Sequence, residues 1–135
     1  MNLTVAARKL FCNDRYASEL TGVEIVEAGP AYALCRVTVT ELHLNAMGGV
    51  MGGVMFTLAD MAFAVAANSE TLEAGTLHWV SMDSHIVFLS NTRNDTITAT
   101  ARCVRQGRNA CVYTITLSDG DGKQLALVTT TGLKR

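Results

Sequence analysis

The chain has 135 residues, of which 49% are hydrophobic and 17% charged, and its formal net charge at pH 7 is −1. This length predicts a single domain over 1–135 with a sizeable core. The balanced charge, without a basic block, argues against nucleic acid as a partner. No run reaches the roughly 18 to 20 apolar residues of a membrane span, and the N-terminus lacks the apolar centre of a secretory signal. We therefore expect a cytoplasmic protein that does not engage a membrane.

The first third of the chain predicts short helical pieces followed by two strands. Residues 3–20 have the pattern of one or two short helices, and strands over 21–26 and 31–40 flank a Gly-Pro turn. The second strand alternates between two faces, as a half-buried strand does. Its expected inward residues are Ala33, Cys35, Val37 and Val39.

A Gly-rich loop over 41–52 leads into a predicted helix over 53–68 that is apolar almost all round and ends near Asn68. The helix carries one acid, Asp60. An ionised carboxylate among apolar side chains is costly unless it is paired, hydrogen-bonded or neutralised. A structural explanation, in which Asp60 emerges at the surface or caps a neighbour, stays open, but the apolar residues on every side favour a buried functional carboxylate.

Four further strands are predicted over 79–89, 96–106, 110–118 and 123–131, and the later ones are joined by short turns. Strands joined by such short turns are antiparallel. The whole pattern indicates an α+β fold in which an antiparallel sheet of five to six strands wraps around one long central helix.

The cysteines and histidines do not indicate a metal site. The four cysteines contain no C-x-x-C pair, so we interpret them as small buried hydrophobic residues in a reducing cytoplasm rather than as disulfides or ligands. The three histidines lack a metal-ligand spacing. We expect them at the surface or with satisfied hydrogen bonds, although His43, in the Gly-rich loop, lies close enough in sequence to touch a site there.

The start of the long helix favours a carbonyl-binding site. The glycine run lacks the G-K-[ST] ending of a phosphate-binding loop, whereas the N–H of Gly52 at a helix N-terminus suits a developing oxyanion. Gly52 and Asp60 are separated by about 12 Å along one helix, but a reacting carbon must lie about 3 Å from both groups. Two antiparallel copies of the helix solve this problem, so the chemistry predicts a dimer with shared sites.

Residues 45–64, NAMGGVMGGVMFTLADMAFA, resemble the signature of hotdog-fold acyl-CoA thioesterases of the phenylacetate-degradation type. Residues 80–83 (VSMD), 105–108 (RQGR) and 121–126 (DGKQLA) are similar to that family too. The resemblance covers most of the chain beyond about residue 20. It implies a hotdog fold and hydrolysis of an acyl- or aryl-CoA thioester.

The resemblance also implies catalytic roles. Asp60 would be the nucleophile or the general base that activates water, and the Gly52 N–H would polarise the thioester carbonyl. Asn45 would orient water or the thioester, and Ser81 would support the attacking water. In such enzymes the Asn and Gly come from one subunit and the acid and Ser from its partner, which implies a homodimer with shared active sites and, beyond it, a homotetramer.

Four further residues are assigned to substrate binding. Met51 and Gly53 belong to the motif, and Met51 stands where the family usually has a His, whose hydrogen bonding a thioether cannot reproduce. Arg105 and Arg108 flank a turn, either as ordinary solvated charges or as contacts to the phosphates of coenzyme A. No cofactor is expected, because coenzyme A is part of the substrate.

The sequence therefore predicts an acyl-CoA thioesterase. The change at Met51 keeps open a non-hydrolysing acyl-CoA-binding or regulatory hotdog protein. An acyl thioester hydratase is less favoured, because those enzymes usually pair an acid with a catalytic His and no His stands at a matching position.

Overall fold

The computed structural model describes residues 2–92 and 95–135. Its helical elements all lie before Trp79, where the third strand begins. They are helix α1 (Leu3–Phe11), a π-helix (Tyr16–Thr21), the long helix α2 (Gly52–Ala67) and two 3₁₀ turns (Glu41–His43 and Ser69–Thr71).

Six antiparallel strands form one sheet in the order β1-β2-β4-β5-β6-β3. Helix α2 packs against this sheet, so the predicted α+β hotdog architecture is confirmed. The strands are β1 (Glu24–Gly29), β2 (Tyr32–Thr38), β3 (Trp79–Phe88), β4 (Thr96–Gln106), β5 (Ala110–Asp119) and β6 (Gln124–Lys134).

The core lies between α2 and the concave face of the sheet. The expected inward residues Ala33, Cys35 and Val37 are fully buried, whereas Val39 is half-buried because it follows the end of β2. Phe63 of α2 meets Tyr113 of β5 edge to face, with ring centroids 5.6 Å apart. Such aromatic pairs stabilise a core beyond their buried area.

The buried side chain of His43 fixes the loop that precedes α2. Its Nδ1 accepts the Thr40 N–H at 2.9 Å, so Nε2 carries the proton and donates to the Thr21 carbonyl at 2.7 Å. The His43 carbonyl in turn accepts the Met51 N–H at 2.8 Å. The prediction of a satisfied histidine is confirmed, and this residue ties the π-helix to the start of α2.

Strand β3 stands at one edge of the sheet. It pairs only with β6 among the described strands, and a bulge interrupts the pairing between Ser81 and Asp83. Much of its apolar surface faces solvent. The exposed apolar side chains of this strand are Val80, Met82, Val87 and Phe88.

All four cysteines are free thiols. Cys35 and Cys111 are buried and Cys103 is half-buried, as the sequence predicts, but Cys12 is exposed because it follows the last turn of α1. In the described part of the chain, no helix has both the length and the apolar character needed to cross a bilayer.

Candidate active site

The first turn of α2 presents free backbone donors. Met51 is its N-cap residue but makes no side-chain cap, and its carbonyl accepts the N–H groups of Val54 and Met55 at 3.0 and 3.3 Å. The N–H groups of Gly52 and Gly53 make no hydrogen bond to any residue in 2–92 or 95–135. Free N–H groups at a helix N-terminus attract an anion or an oxyanion.

Close packing explains the glycine at position 52. An ideal Cβ on Gly52 would lie 2.9 Å from Cζ of Phe88, closer than side-chain carbons approach. The aromatic ring of β3 therefore covers the start of α2. Sequence analysis did not single out Phe88, because an apolar residue near a strand end carries no distinct signal.

Asn45 builds the loop before α2. Its Oδ1 accepts the N–H groups of Met47 at 2.9 Å and Gly49 at 3.1 Å, and its own N–H donates to the Gly49 carbonyl at 2.7 Å. Within the described residues its Nδ2 has no partner. Asn45 thus holds the loop with its oxygen and keeps an amide donor for a substrate or water.

Asp60 is half-buried, so the burial expected from the apolar residues around it in the sequence is only partial. The sheet covers only one side of α2, so a stripe of side chains on the other side stays accessible. The Thr57 hydroxyl donates to the Gly53 carbonyl at 2.8 Å and so does not serve Asp60. The accessible stripe comprises Gly53, Phe56, Thr57, Asp60 and Ala64.

Its surroundings make Asp60 a better proton acceptor than an ordinary aspartate. Burial raises the pKa of Asp60, the negative charge of Asp14 raises it further, and a hydrogen bond from Ser81 opposes both. A raised carboxylate pKa brings a base closer to neutral pH. Because Ser81 lies on β3 of the same chain, the structure brings the predicted acid and its predicted supporting serine together.

A cleft of about 360 Å³ opens beside this carboxylate, between α2 and the π-helix. We call it the Asp60 cleft. Side chains from both helices and from the turn before the π-helix line it, among them Asp14, Tyr16, Ala17, Phe56, Asp60 and Met61. Asp14 and Tyr16 escaped the sequence analysis because the recognisable motifs begin beyond residue 20.

The predicted site residues fall into separate groups within one chain. Asn45, Met51 and Gly52 belong to the loop and first turn of α2, whereas Asp60 lies eight residues further along the helix, about 12 Å away. Gly53 joins the first group, and its role in substrate binding remains a prediction.

Other predicted substrate-binding groups lie at the surface. The Met51 side chain is 53% exposed, and its part in substrate binding remains a prediction. Arg105 and Arg108 are exposed at the hairpin between β4 and β5. Their contact with coenzyme A likewise remains a prediction.

In the described part of the chain, no three or more His, Cys, Asp and Glu side chains cluster in a way that suits a metal ion. His43 is committed to the Thr40 and Thr21 backbone, and His85 is exposed on β3. The polar groups that the site does present are the Asp60 carboxylate, the Ser81 hydroxyl, the Asn45 amide and the free N–H groups at the start of α2.

Comparison with known proteins places this arrangement in a family. The family model of the Thioesterase superfamily matches residues 47–126, which include Met51, Gly52, Asp60 and Ser81. The chain therefore belongs to the thioesterase superfamily.

Individual relatives agree with this assignment. The acyl-coenzyme A thioesterase PaaI of Escherichia coli is 37% identical over 122 residues, covering 90% of this chain and 83% of that protein. The human acyl-coenzyme A thioesterase 13 is 29% identical over 106 residues, covering 77% of this chain and 74% of its own. The solved structure of the E. coli PaaI protein, from the phenylacetic acid degradation operon, superposes with a TM-score of 0.85, 29% identity and coverage of 99% and 96%.

Proposed function

We propose that this protein hydrolyses acyl-CoA thioesters to a free acid and coenzyme A. The observation that carries the proposal is the half-buried Asp60 carboxylate, which lies beside Ser81, has an open cleft next to it and has a raised pKa. Two similar proteins, E. coli PaaI and human thioesterase 13, are named acyl-coenzyme A thioesterases, which supports this substrate class.

The residues supply the parts that hydrolysis needs. In the water route, Asp60 takes a proton while the water oxygen bonds to the thioester carbon; in the covalent route, the carboxylate attacks that carbon and water then releases the acid. In both routes the Gly52 N–H stabilises the oxyanion, and Asn45 Nδ2 orients the thioester or water. In both routes the C–S bond breaks when the tetrahedral intermediate collapses, and the thiolate of coenzyme A leaves with its electron pair and takes up a proton. In the covalent route this step forms the anhydride between Asp60 and the acyl group, which water then hydrolyses.

The exposed edge of β3 supports a dimer. A strand of 10 residues with apolar side chains and an unpaired edge is a template for pairing with another chain. Antiparallel pairing of β3 with its two-fold copy extends the sheet across the interface. We therefore place the dimer interface at this edge.

Such pairing also joins the two halves of the site. Gly52 lies against Phe88 at one end of β3, whereas Asp60 meets Ser81 near the other end. Because the two copies of β3 run in opposite directions, the Phe88 end of one copy lies beside the Ser81 end of the other. Gly52 of one chain then approaches Asp60 of its partner, and the site is shared.

Further assembly and location follow from surface chemistry. Val104, Leu127 and Leu133 are exposed on the sheet strands, and they offer apolar area for a dimer of dimers. The four free thiols fit a reducing cytoplasm. We propose that the reaction needs no cofactor. We also propose that Arg105 and Arg108 bind the phosphates of coenzyme A.

One observation favours a second candidate, an acyl-CoA-binding protein that does not hydrolyse. The Met51 side chain supplies no hydrogen bond at the start of α2, whereas the family that this sequence resembles usually has a His at that position. Gly52 still offers its backbone N–H to a carbonyl oxygen. The presence of Met51 in place of a His is therefore compatible with a protein that binds an acyl-CoA without hydrolysing it.

A substrate panel separates the two candidates. Thiol release from short, long and aromatic acyl-CoA esters is measured for wild type, Asp60→Asn and, as a control, Glu73→Gln, an exposed acid in the turn after α2. Hydrolysis by wild type and Glu73→Gln, with a loss of about 10² to 10⁴-fold in Asp60→Asn, supports the thioesterase. Calorimetric binding of the same esters by wild type without thiol release would establish the binding protein instead.

A further inference from the structure

The Asp60 cleft contains a second carboxylate that no predicted role explains. Asp14 lies in the turn between α1 and the π-helix, is exposed, and lines the same cleft as Asp60. Two carboxylates that face one cleft repel each other when both are ionised. A cation close to both carboxylates would cancel this repulsion.

The Arg15 guanidinium, a cation beside the cleft, is paired with a residue outside the cleft lining. Arg15 also lines the cleft, but its guanidinium makes two hydrogen bonds to Glu19, from Nε to Oε1 at 3.0 Å and from Nη2 to Oε2 at 2.9 Å. This bidentate geometry is the strong form of the Arg–carboxylate pair. Arg15 is therefore held by Glu19 rather than by either carboxylate of the cleft.

Arg15 is the one cation among the described residues that line the cleft, and Arg8, Lys9 and Glu24 of the neighbouring elements lie outside its lining. Arg8 of α1 donates to the carbonyls of Ile25 and Val26, and Glu24 of β1 pairs with Arg36 at 3.1 Å. Strand β3 contributes the neutral hydroxyl of Ser81 to Asp60, and its Asp83 is exposed beyond the bulge. Tyr16 lines the cleft with a phenol and supplies no cation to it.

The π-helix fixes the position of Asp14. The Asp14 carbonyl accepts the Ser18 N–H at 2.9 Å, and the other end of the π-helix is tied by the bond from His43 to the Thr21 carbonyl. Ala17 of the π-helix is buried and anchors it against the core. Single π-helical turns are frequent at functional sites, and this one places Tyr16 in the wall of the cleft, with Asp14 and Arg15 directly before it.

We infer that Asp14 is a positioning residue for thioester hydrolysis, whose negative charge across the cleft makes Asp60 a stronger base or nucleophile. The effect of Asp14 on the pKa of Asp60 has the same direction. The Arg15–Glu19 pair belongs to the same device, because it withholds the cation that would cancel the charge. This inference rests on the proposed hydrolysis, in which Asp60 acts in its ionised form.

The pH profiles of kcat/KM for wild type and Asp14→Asn should cross. With Asp14→Asn, Asp60 ionises at lower pH, so kcat/KM on the acid limb rises roughly two- to fourfold over wild type, since exposed charges interact weakly through water. On the neutral plateau the rate stays equal or falls, because a weaker base is a poorer catalyst. Asp14→Glu retains the wild-type profile, and Glu19→Gln, which releases Arg15, shifts the acid limb in the same direction as Asp14→Asn.

A matched charge control and a direct titration complete the test. Glu73→Gln removes one exposed negative charge away from the cleft and should leave the profile unchanged. The carbon-13 signal of the Asp60 carboxyl, assigned by its loss in Asp60→Asn, should titrate at lower pH in Asp14→Asn than in wild type.

The outcomes distinguish failure of this inference from failure of the proposed function. An unmoved Asp60 titration in Asp14→Asn overturns the inference, as does a loss of activity by the same factor at every pH, which would mark a merely structural role. If wild type hydrolyses no ester, the proposed function fails, and the inference falls with it as a statement about catalysis. The carboxyl titration still decides whether the two acids interact.

Discussion

Ser81 on β3 lies beside the Asp60 carboxylate on α2, and its hydroxyl lowers the pKa of Asp60 against the burial and the Asp14 charge that raise it. The two residues are 21 positions apart in the sequence, and they meet because β3 runs alongside α2 at the edge of the sheet. The Ser81 hydroxyl thus favours the ionised form of Asp60, the form that hydrolysis requires. Its removal should affect both the rate and its pH dependence.

Ser81→Ala should move the acid limb of kcat/KM to higher pH, because the hydrogen bond that favours the ionised carboxylate is lost. We also expect a decrease of about 10- to 100-fold at neutral pH, since the same hydroxyl supports the attacking water. The measurement is a pH–rate profile from pH 5 to 9. Ser84→Ala on the same strand removes a hydrogen bond to Thr130, 2.9 Å long, and should leave the profile in place. An acid limb that does not move in Ser81→Ala contradicts the assigned contact.

Asp60→Asn should stabilise the fold at neutral pH while it abolishes activity. The folded-state pKa of Asp60 lies above its unfolded value of about 3.9. Between these two pKa values the folded state binds more protons, so stability falls as pH rises through that window, and the loss is complete above the folded pKa. The amide removes this loss. Asp60→Asn should therefore melt a few degrees above wild type at pH 7.

The gain should shrink as pH falls towards 4, where the wild-type carboxyl is also neutral in the folded state. Melting temperatures over this range check the prediction. Asp83→Asn makes the same chemical change at an exposed position of β3 and should change stability little. A destabilised Asp60→Asn at pH 7 would show that the ionised carboxylate contributes to folding.

Gly52→Pro should remove the oxyanion donor with little effect on the helix. Proline at the first helical position leaves out an N–H that has no helical partner. Met51 already has the extended backbone that precedes proline, with φ −59° and ψ 134°. We expect a loss of about 10² to 10³-fold in kcat.

Gly52→Ala provides the control, since it adds the same Cβ against the Phe88 ring but retains the N–H. The end of an exposed side chain can move aside, so we expect Gly52→Ala to retain most of the activity. Equal losses in the two variants would assign the defect to the displaced ring instead of the donor.

Met51→Ser should raise stability and lower activity together. A serine at the N-cap accepts an N–H of the first turn and is worth about 1 kcal/mol of helix stability. The hydroxyl takes the N–H of Gly53 or Val54 and leaves the Gly52 donor free, so the loss of activity comes from removal of the Met51 side chain from the predicted substrate-binding site. Denaturant unfolding and steady-state kinetics measure the two effects. Met47→Ser makes the same exchange at a loop position that is 90% exposed, and it should change neither.

The fold was predictable where a pattern extends over a long segment. The helix predicted over 53–68 is found as Gly52–Ala67, and the strand predicted over 96–106 is β4 without a change of bounds. The first strand was placed too early, over 21–26 instead of Glu24–Gly29, because the π-helix continues to Thr21. A six-residue π-helix has no sequence periodicity of its own.

The sequence predicts which residues form the site, but it does not predict how exposed they are or what surrounds them. A helix that is apolar all round gives no indication of which side stays open, so the expected burial of Asp60 was too complete. The methionines show the same limit, because the sequence does not distinguish Met55 and Met61, which lie in the core, from Met47 and Met51, which are exposed. Asp14 lines the cleft because its turn packs beside α2 in the folded chain, and no local sequence pattern predicts that packing.

Mixing two inactive variants tests whether the site is shared between subunits. In a hybrid dimer of Asp60→Asn with Gly52→Pro, one composite site combines the intact Gly52 of the first chain with the intact Asp60 of the second. The other site carries both defects. Hybrids purified with two different affinity tags should therefore show about half the activity of the wild-type dimer, although each variant alone is inactive. A site that lies within one chain predicts no activity in the hybrid, since each chain would then carry one defect.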